Sequence, residues 1–120
     1  MFPKKIQFRS NKYEEWQAGQ CISHGPIDVL ITLTIYLVSG RLDVQLTNVR
    51  GLKIIDSFSF EKMDILPDMR MQFVHGSYDF NPIIPYVCHI FYSDTTISHI
   101  RFAMSNPDRL IEFYGCVIAK

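Results

Sequence analysis

Residues 41–49, RLDVQLTNV, alternate without a break: Leu42, Val44 and Leu46 against Arg41, Asp43, Gln45 and Thr47. A period of two is that of a strand with one buried face. This run constrains the one before it, IDVLITLTIYLVSG at 27–40, which taken alone could span a membrane, bury a helix or form a strand. Spanning needs about 20 largely apolar residues. The apolar run from Val29 to Val38 is far shorter, bounded by Asp28 and by Ser39-Gly40-Arg41. Folded across Ser39-Gly40 as a two-residue turn, the two runs form a hairpin. Leu37, Ile35 and Leu33 then face Leu42, Val44 and Leu46, while Tyr36, Thr34 and Thr32 face Asp43, Gln45 and Thr47. One face is wholly apolar, and a one-residue slip would scramble it.

The same pattern predicts a second hairpin in YVCHIFYSDTTISHIRFAM, with a three-residue loop Asp94-Thr95-Thr96. Tyr92, Ile90 and Cys88 share a face with Ser98, Ile100 and Phe102, and on the other face His89 pairs with Arg101 and Phe91 with His99. Ile6 and Phe8 mark a short first strand, and residues 10–26 read as a long connection with a helical turn around Tyr13 to Gln17. Residues 53–66 fit a strand through Ile54, Asp56, Phe58 and Phe60, or a helix through Phe58, Lys62 and Ile65; the strand is favoured. Leu66-Pro67-Asp68 is a turn signal, followed by a strand through Met69, Met71 and Phe73. GSYDFNPIIP at 76–85 is a loop.

The C-terminal segment reads as a helix. Ser105 or Asn106 suits the cap, Pro107 the first helical position and Asp108 the dipole. Leu110, Phe113, Tyr114, Val117 and Ile118 fall on one helical stripe, in which Gly115 would cost about 1 kcal/mol against Ala. The expected fold is therefore a single α+β domain: a strongly bent antiparallel sheet of about six to seven strands, with two main hairpins, closed by one amphipathic C-terminal helix. That element order resembles the pleckstrin-homology-like fold; an open antiparallel sheet packed on one helix is the alternative. The resemblance implies a phosphoinositide headgroup site near Lys5, Arg9 and Lys12, in the N-terminal basic cluster that begins at Lys4. A solvated strand is the plainer account of those charges.

Twelve basic and twelve acidic residues cancel, so no global field steers the chain to nucleic acid or an anionic membrane. MFPKKIQFRS holds no secretory signal pattern. Cys21, Cys88 and Cys116 are odd in number and widely spaced, which does not suggest a disulfide framework. A cytoplasmic, reduced setting is the default expectation.

No phosphate loop, nucleophile elbow or paired zinc motif occurs. Cys21 with His24, and Cys88 with His89, are zinc-ligand types, but neighbours in a strand point to opposite faces. No metal or cofactor is expected. His75 and Asp79 flank Gly76-Ser77, from which a small enzyme could be built, although triads are recognised by geometry and not by spacing. His89, His99 and Arg101 would form a cationic strip able to bind a carboxylate or phosphate. Trp16, Tyr13, Tyr78, Phe80 and Tyr86 are aromatics in poorly periodic segments, a common source of interface anchors.

By elimination, the expected function is a non-catalytic binding or interaction module. It would engage another protein or its own copy through loop aromatics or exposed strand edges. The rivals are a small enzyme using His75 and Asp79, and a small-ligand binder whose apolar pocket is lined by Leu30, Tyr36 and Val38.

Overall fold

The structure is a computed structural model that describes residues 3–49, 53–75, 84–94, 96–105 and 108–118. Eight strands follow one another: β1 (Lys4–Gln17), β2 (Gln20–Tyr36), β3 (Arg41–Asn48), β4 (Ile54–Leu66), β5 (Arg70–Val74), β6 (Val87–Ser93), β7 (Thr96–Ser105) and β8 (Asp108–Val117). Each pairs antiparallel with the next, and β8 returns to β1, so the sheet closes as an up-and-down barrel. Both sequence alternatives for the architecture are corrected here. None of the described residues is helical, the fold is all-β, and the resemblance to a helix-plugged sheet ends with the helix. The headgroup site implied near Lys5, Arg9 and Lys12 loses its basis. Arg9 pairs with Asp28 at 3.1 Å instead, and the Lys12 ammonium lies over the Tyr114 ring.

The expected helix is β8. Its helical stripe coexists with a strand alternation, Ile111 and Phe113 inward and Leu110, Glu112 and Tyr114 outward, and tertiary context selects the second. Tyr, Phe, Ile and Val fit a pleated surface well. Without β8, both β1 and β7 would carry an open edge; with it, β1 pairs from Phe8↔Val117 to Gln17↔Arg109 and β7 from His99↔Tyr114 to Ser105↔Asp108. The predicted long connection at 10–26 and its helical turn are also overturned. β1 and β2 run through it and meet at Ala18-Gly19, where φ is 51° and 78°. That is the twisted two-residue turn that suits a hairpin.

The first hairpin exists with its faces as read but its register two residues away, since Ile35 pairs with Leu42 and Leu33 with Val44. A slip of two preserves the faces. The turn spans residues 37–40, with Gly40 at φ 77° and its N–H donated to the Tyr36 carbonyl at 2.8 Å. Leu37 leaves the core for this turn. The second hairpin keeps the expected pairs His89↔Arg101, Ile90↔Ile100 and Phe91↔His99, but Ser93 pairs with Thr96 and a bulge follows at the register shift after Phe91. Residues 54–66 form a strand, with Lys62 at φ 56° as an extra residue between Glu61 and Met63.

The middle of the barrel interior is packed. Phe8, Leu33, Leu42, Phe60, Phe73, Ile90 and Ile100 are completely buried and pack into one cluster, as an eight-stranded barrel has room for little more than its own side chains. Outward positions of β1 carry Lys5, Gln7 and Arg9. A membrane barrel shows the inverse arrangement, apolar outside and polar within. Among the described residues, no helix is long and apolar enough to cross a membrane.

Candidate functional site

One irregularity in β1 decides which side chains reach the rim. Ser10 pairs with Gly115 and Lys12 with Tyr114, leaving Asn11 unmatched as a bulge. Ser10 is buried, and its hydroxyl lies 3.1 Å from the Lys12 carbonyl and 3.0 Å from that of Tyr114, pinning the bulge. Phe8 and Ser10 face inward below it. Beyond it the parity changes, so Tyr13 packs against the core and Trp16 turns out beside Leu110.

Trp16 thereby comes to the same stretch of rim as Tyr86. Together with Ala18, Gly19, Ala103 and Leu110 they line a pocket of about 400 Å³ on the outer wall at the rim. Apolar side chains make up most of the lining, which also includes Asp108 and Arg109. Tyr86 is 43% exposed. Among the described residues the Trp16 indole N–H is closed off from water and has no acceptor, an arrangement that costs about 1–3 kcal/mol when it persists. The Ala18 N–H donates to the Asp108 carbonyl at 3.4 Å, tying the β1–β2 turn to the start of β8.

The expected cationic strip is assembled, but its charge is spoken for. His89, His99 and Arg101 lie on the outer face of β6 and β7, where Arg101 donates through Nε and Nη2 to Glu112 at 2.6 Å. Glu112 is buried although it faces outward, and it also accepts from the Tyr114 hydroxyl at 2.8 Å. Burial, with the Glu112 bond behind it, pushes the Tyr114 phenol up. The His99 ring is stacked between Phe91 at 4.0 Å and Tyr114 at 5.2 Å. Burial holds His99 below its ordinary value. Burial and the neighbouring Arg70 and Arg101 hold His89 down to about 4. His89 Nε2 meets the Gln72 amide oxygen at 3.0 Å, while among the described residues His89 Nδ1 and Arg70 Nε have no partner. Stacked rings and internal ion pairs make a rigid ladder with no open anion site.

A second cavity of about 220 Å³ opens at the barrel mouth, walled by Leu46, Phe58, Phe102 and Phe113, with Asp56 and Arg109 among its lining. Arg109 is bound through Nε and Nη2 to Glu15. Of the residues expected to line a small-ligand pocket, Val38 stands 81% exposed in a turn, and Leu30 and Tyr36 line neither of these two cavities.

Tyr13 is drawn inward, its hydroxyl 2.6 Å from that of Ser23. Tyr78, Phe80 and Asp79 lie outside the described residues. His75 is placed at the end of β5, its N–H donated to the Tyr86 carbonyl at 2.9 Å. Cys88 faces the core and His89 the outside, so they do not converge, and among the described residues no three His, Cys, Asp or Glu side chains group as metal ligands. Sequence reasoning missed Ala103, Leu110 and Asp108 as partners of Trp16 because Leu110 was assigned to a helical stripe. The pair Ala18-Gly19 was the available signal: read as a hairpin turn, it makes β1 long enough to carry Trp16 to the rim. No known protein-family model, curated protein or solved structure matches this chain.

Proposed function

We propose that the protein is a non-catalytic binding module that takes an anchor side chain of a partner protein, or of a second copy, into the Trp16–Tyr86 pocket. The observation that carries this is a largely apolar pocket lined by Trp16, Ala103 and Leu110 beside the exposed Tyr86. Trp and Tyr dominate interface energetics in such desolvated settings. An aliphatic or aromatic anchor would fill the volume against the Trp16 and Tyr86 rings. Substrate chemistry has no comparable support, because the titratable groups nearest to a cluster are bound to one another.

The test is selection of displayed peptides on the immobilised protein, with each binder measured against Ala103→Arg, which fills the pocket from the outer face of β7. Binders should carry an apolar anchor, shift the emission of Trp16 to the blue, and lose at least about tenfold in affinity on the variant, about 1.4 kcal/mol. Binders indifferent to Ala103→Arg, or a failure to select any, would count against the proposal. Sedimentation of the free protein separates a second copy from a foreign partner.

A second observation favours an accessory mode. Residues 20–28 of β2 pair with β1 but, among the described residues, with no strand on their other side. Such an edge can accept an added strand. Slow amide exchange appearing at Ile22 and His24 on binding would identify that mode.

A further inference from the structure

We infer that the barrel mouth is a separate site for a small organic ammonium ion, its hydrocarbon part held in the cup and its charge at Asp56. The filling of the interior stops short at this end. Phe60, stacked with Phe102 at 6.3 Å between ring centroids, belongs to the packed core behind the cup. Above it Phe58 and Phe113 stand against Phe102 at 5.6 and 5.8 Å, forming an aromatic wall. The cavity of about 220 Å³ equals about seven water volumes at the share a water takes in the liquid. A ligand of about that many heavy atoms fits.

The charge of the ligand follows from three groups. Arg109 lines the cup, but its Nε and Nη2 are bound to Glu15, so this pair is neutral as a unit. Asp56 is exposed, and among the described residues its carboxylate accepts only the Ser57 backbone N–H, at 2.9 Å. Among the described residues that line it, the mouth therefore carries one uncompensated negative charge. An anionic ligand would be repelled, and an uncharged one would leave Asp56 unused. A cation gains the carboxylate and also a ring face, because Asp56 and Phe58 are two residues apart on β4 and share a side of the strand. Aromatic faces attract ammonium groups through the ring quadrupole. The site is independent of the outer pocket, although Met104 and Arg109 border both.

Three probes with the same chain and different heads decide it: hexylammonium, hexanol and hexanoate, titrated into protein carrying 13C-labelled methionine methyls. The Met104 methyl reports the cup, and the Trp16 indole N–H reports the outer pocket. Hexylammonium should shift Met104 saturably, bind at least tenfold tighter than either analogue, and leave the indole signal in place. Asp56→Asn, at an exposed position, should abolish the tenfold preference while leaving hexanol affinity unchanged. The inference is overturned if hexanol or hexanoate binds as well, if the preference survives Asp56→Asn, if the indole moves with Met104, or if none of the three shifts Met104.

Discussion

Replacing Gly115 by Ala should destabilise the protein, and the sign of the effect separates the barrel from any fold with a C-terminal helix. In the structure a Cβ on Gly115 would stand 1.9 Å from the Arg9 carbonyl oxygen, 2.8 Å from its carbon and 2.9 Å from the Ser10 Cα. All three atoms are backbone, so no side chain can swing aside. Reaching ordinary contact, about 3.4 Å, needs the β1–β8 seam to open by about 1.5 Å. The pairs on either side are Arg9↔Cys116 and Lys12↔Tyr114, and the bulge between them is pinned by the buried Ser10 hydroxyl. Losing two or three backbone hydrogen bonds, each worth about 1 kcal/mol net, and disturbing Ser10 gives about 2–4 kcal/mol. For a chain of this length that lowers Tm by about 8–16 °C. In a helix the same substitution would stabilise by about 1 kcal/mol. Thermal unfolding followed by circular dichroism, with Gly115→Ser in parallel, reads the sign directly. A neutral or stabilising Gly115→Ala would refute the seam.

Three further outcomes follow from the outer ladder and the thiols. His89 is held near 4, and His99 is shifted in the same direction. Below about pH 6.5 the unfolded chain therefore binds protons that the folded chain refuses, and stability falls with pH until the folded His89 titrates near 4. Allowing for solvent screening of a half-buried ring, the loss from His89 between pH 7 and 5 is about 1 kcal/mol. In urea titrations His89→Gln, which can keep the Gln72 contact, should flatten that slope. Glu112→Gln removes the carboxylate shared by Arg101 and Tyr114 and should cost about 2–3 kcal/mol, seen as a lower urea midpoint with unchanged m. Of the thiols, Cys21 and Cys116 are exposed and Cys88 is buried with its pKa raised by burial. A thiol reagent should accordingly titrate two groups in the native protein and three after denaturation.

Much of the barrel was legible where one face is buried and the other wet. Leu42, Val44 and Leu46 declared their strand, and the His89↔Arg101 and Phe91↔His99 pairs could be read from the second hairpin because its turn is short. The first hairpin's register was misread because Ser39-Gly40 looked like a complete turn, whereas Leu37 and Val38 also leave the strand. β8 was illegible for a physical reason. Its apolar residues satisfy helical and strand spacing together, and only the need of β1 and β7 for a partner selects the strand. Bulges at Asn11 and Lys62 leave no periodic trace, since each shifts the alternation midway along a strand. Asn11 is the costlier omission, because the parity change it causes brings Trp16 to Tyr86 and Leu110. Trp16 and Tyr86 were both legible as candidates; that they share a pocket was not, because Tyr86 arrives from a loop and Leu110 from the misread helix.

The most direct measurement is a titration of a selected peptide into 15N-labelled protein, following the one tryptophan indole N–H. If the Trp16–Tyr86 pocket is the binding site, that signal shifts saturably as the anchor packs against the indole ring, and the amides of Tyr86, Ala103 and Leu110 shift with the same saturation. An indole signal that stays in place while shifts gather on the His99–Arg101 ladder or along residues 20–28 would contradict it.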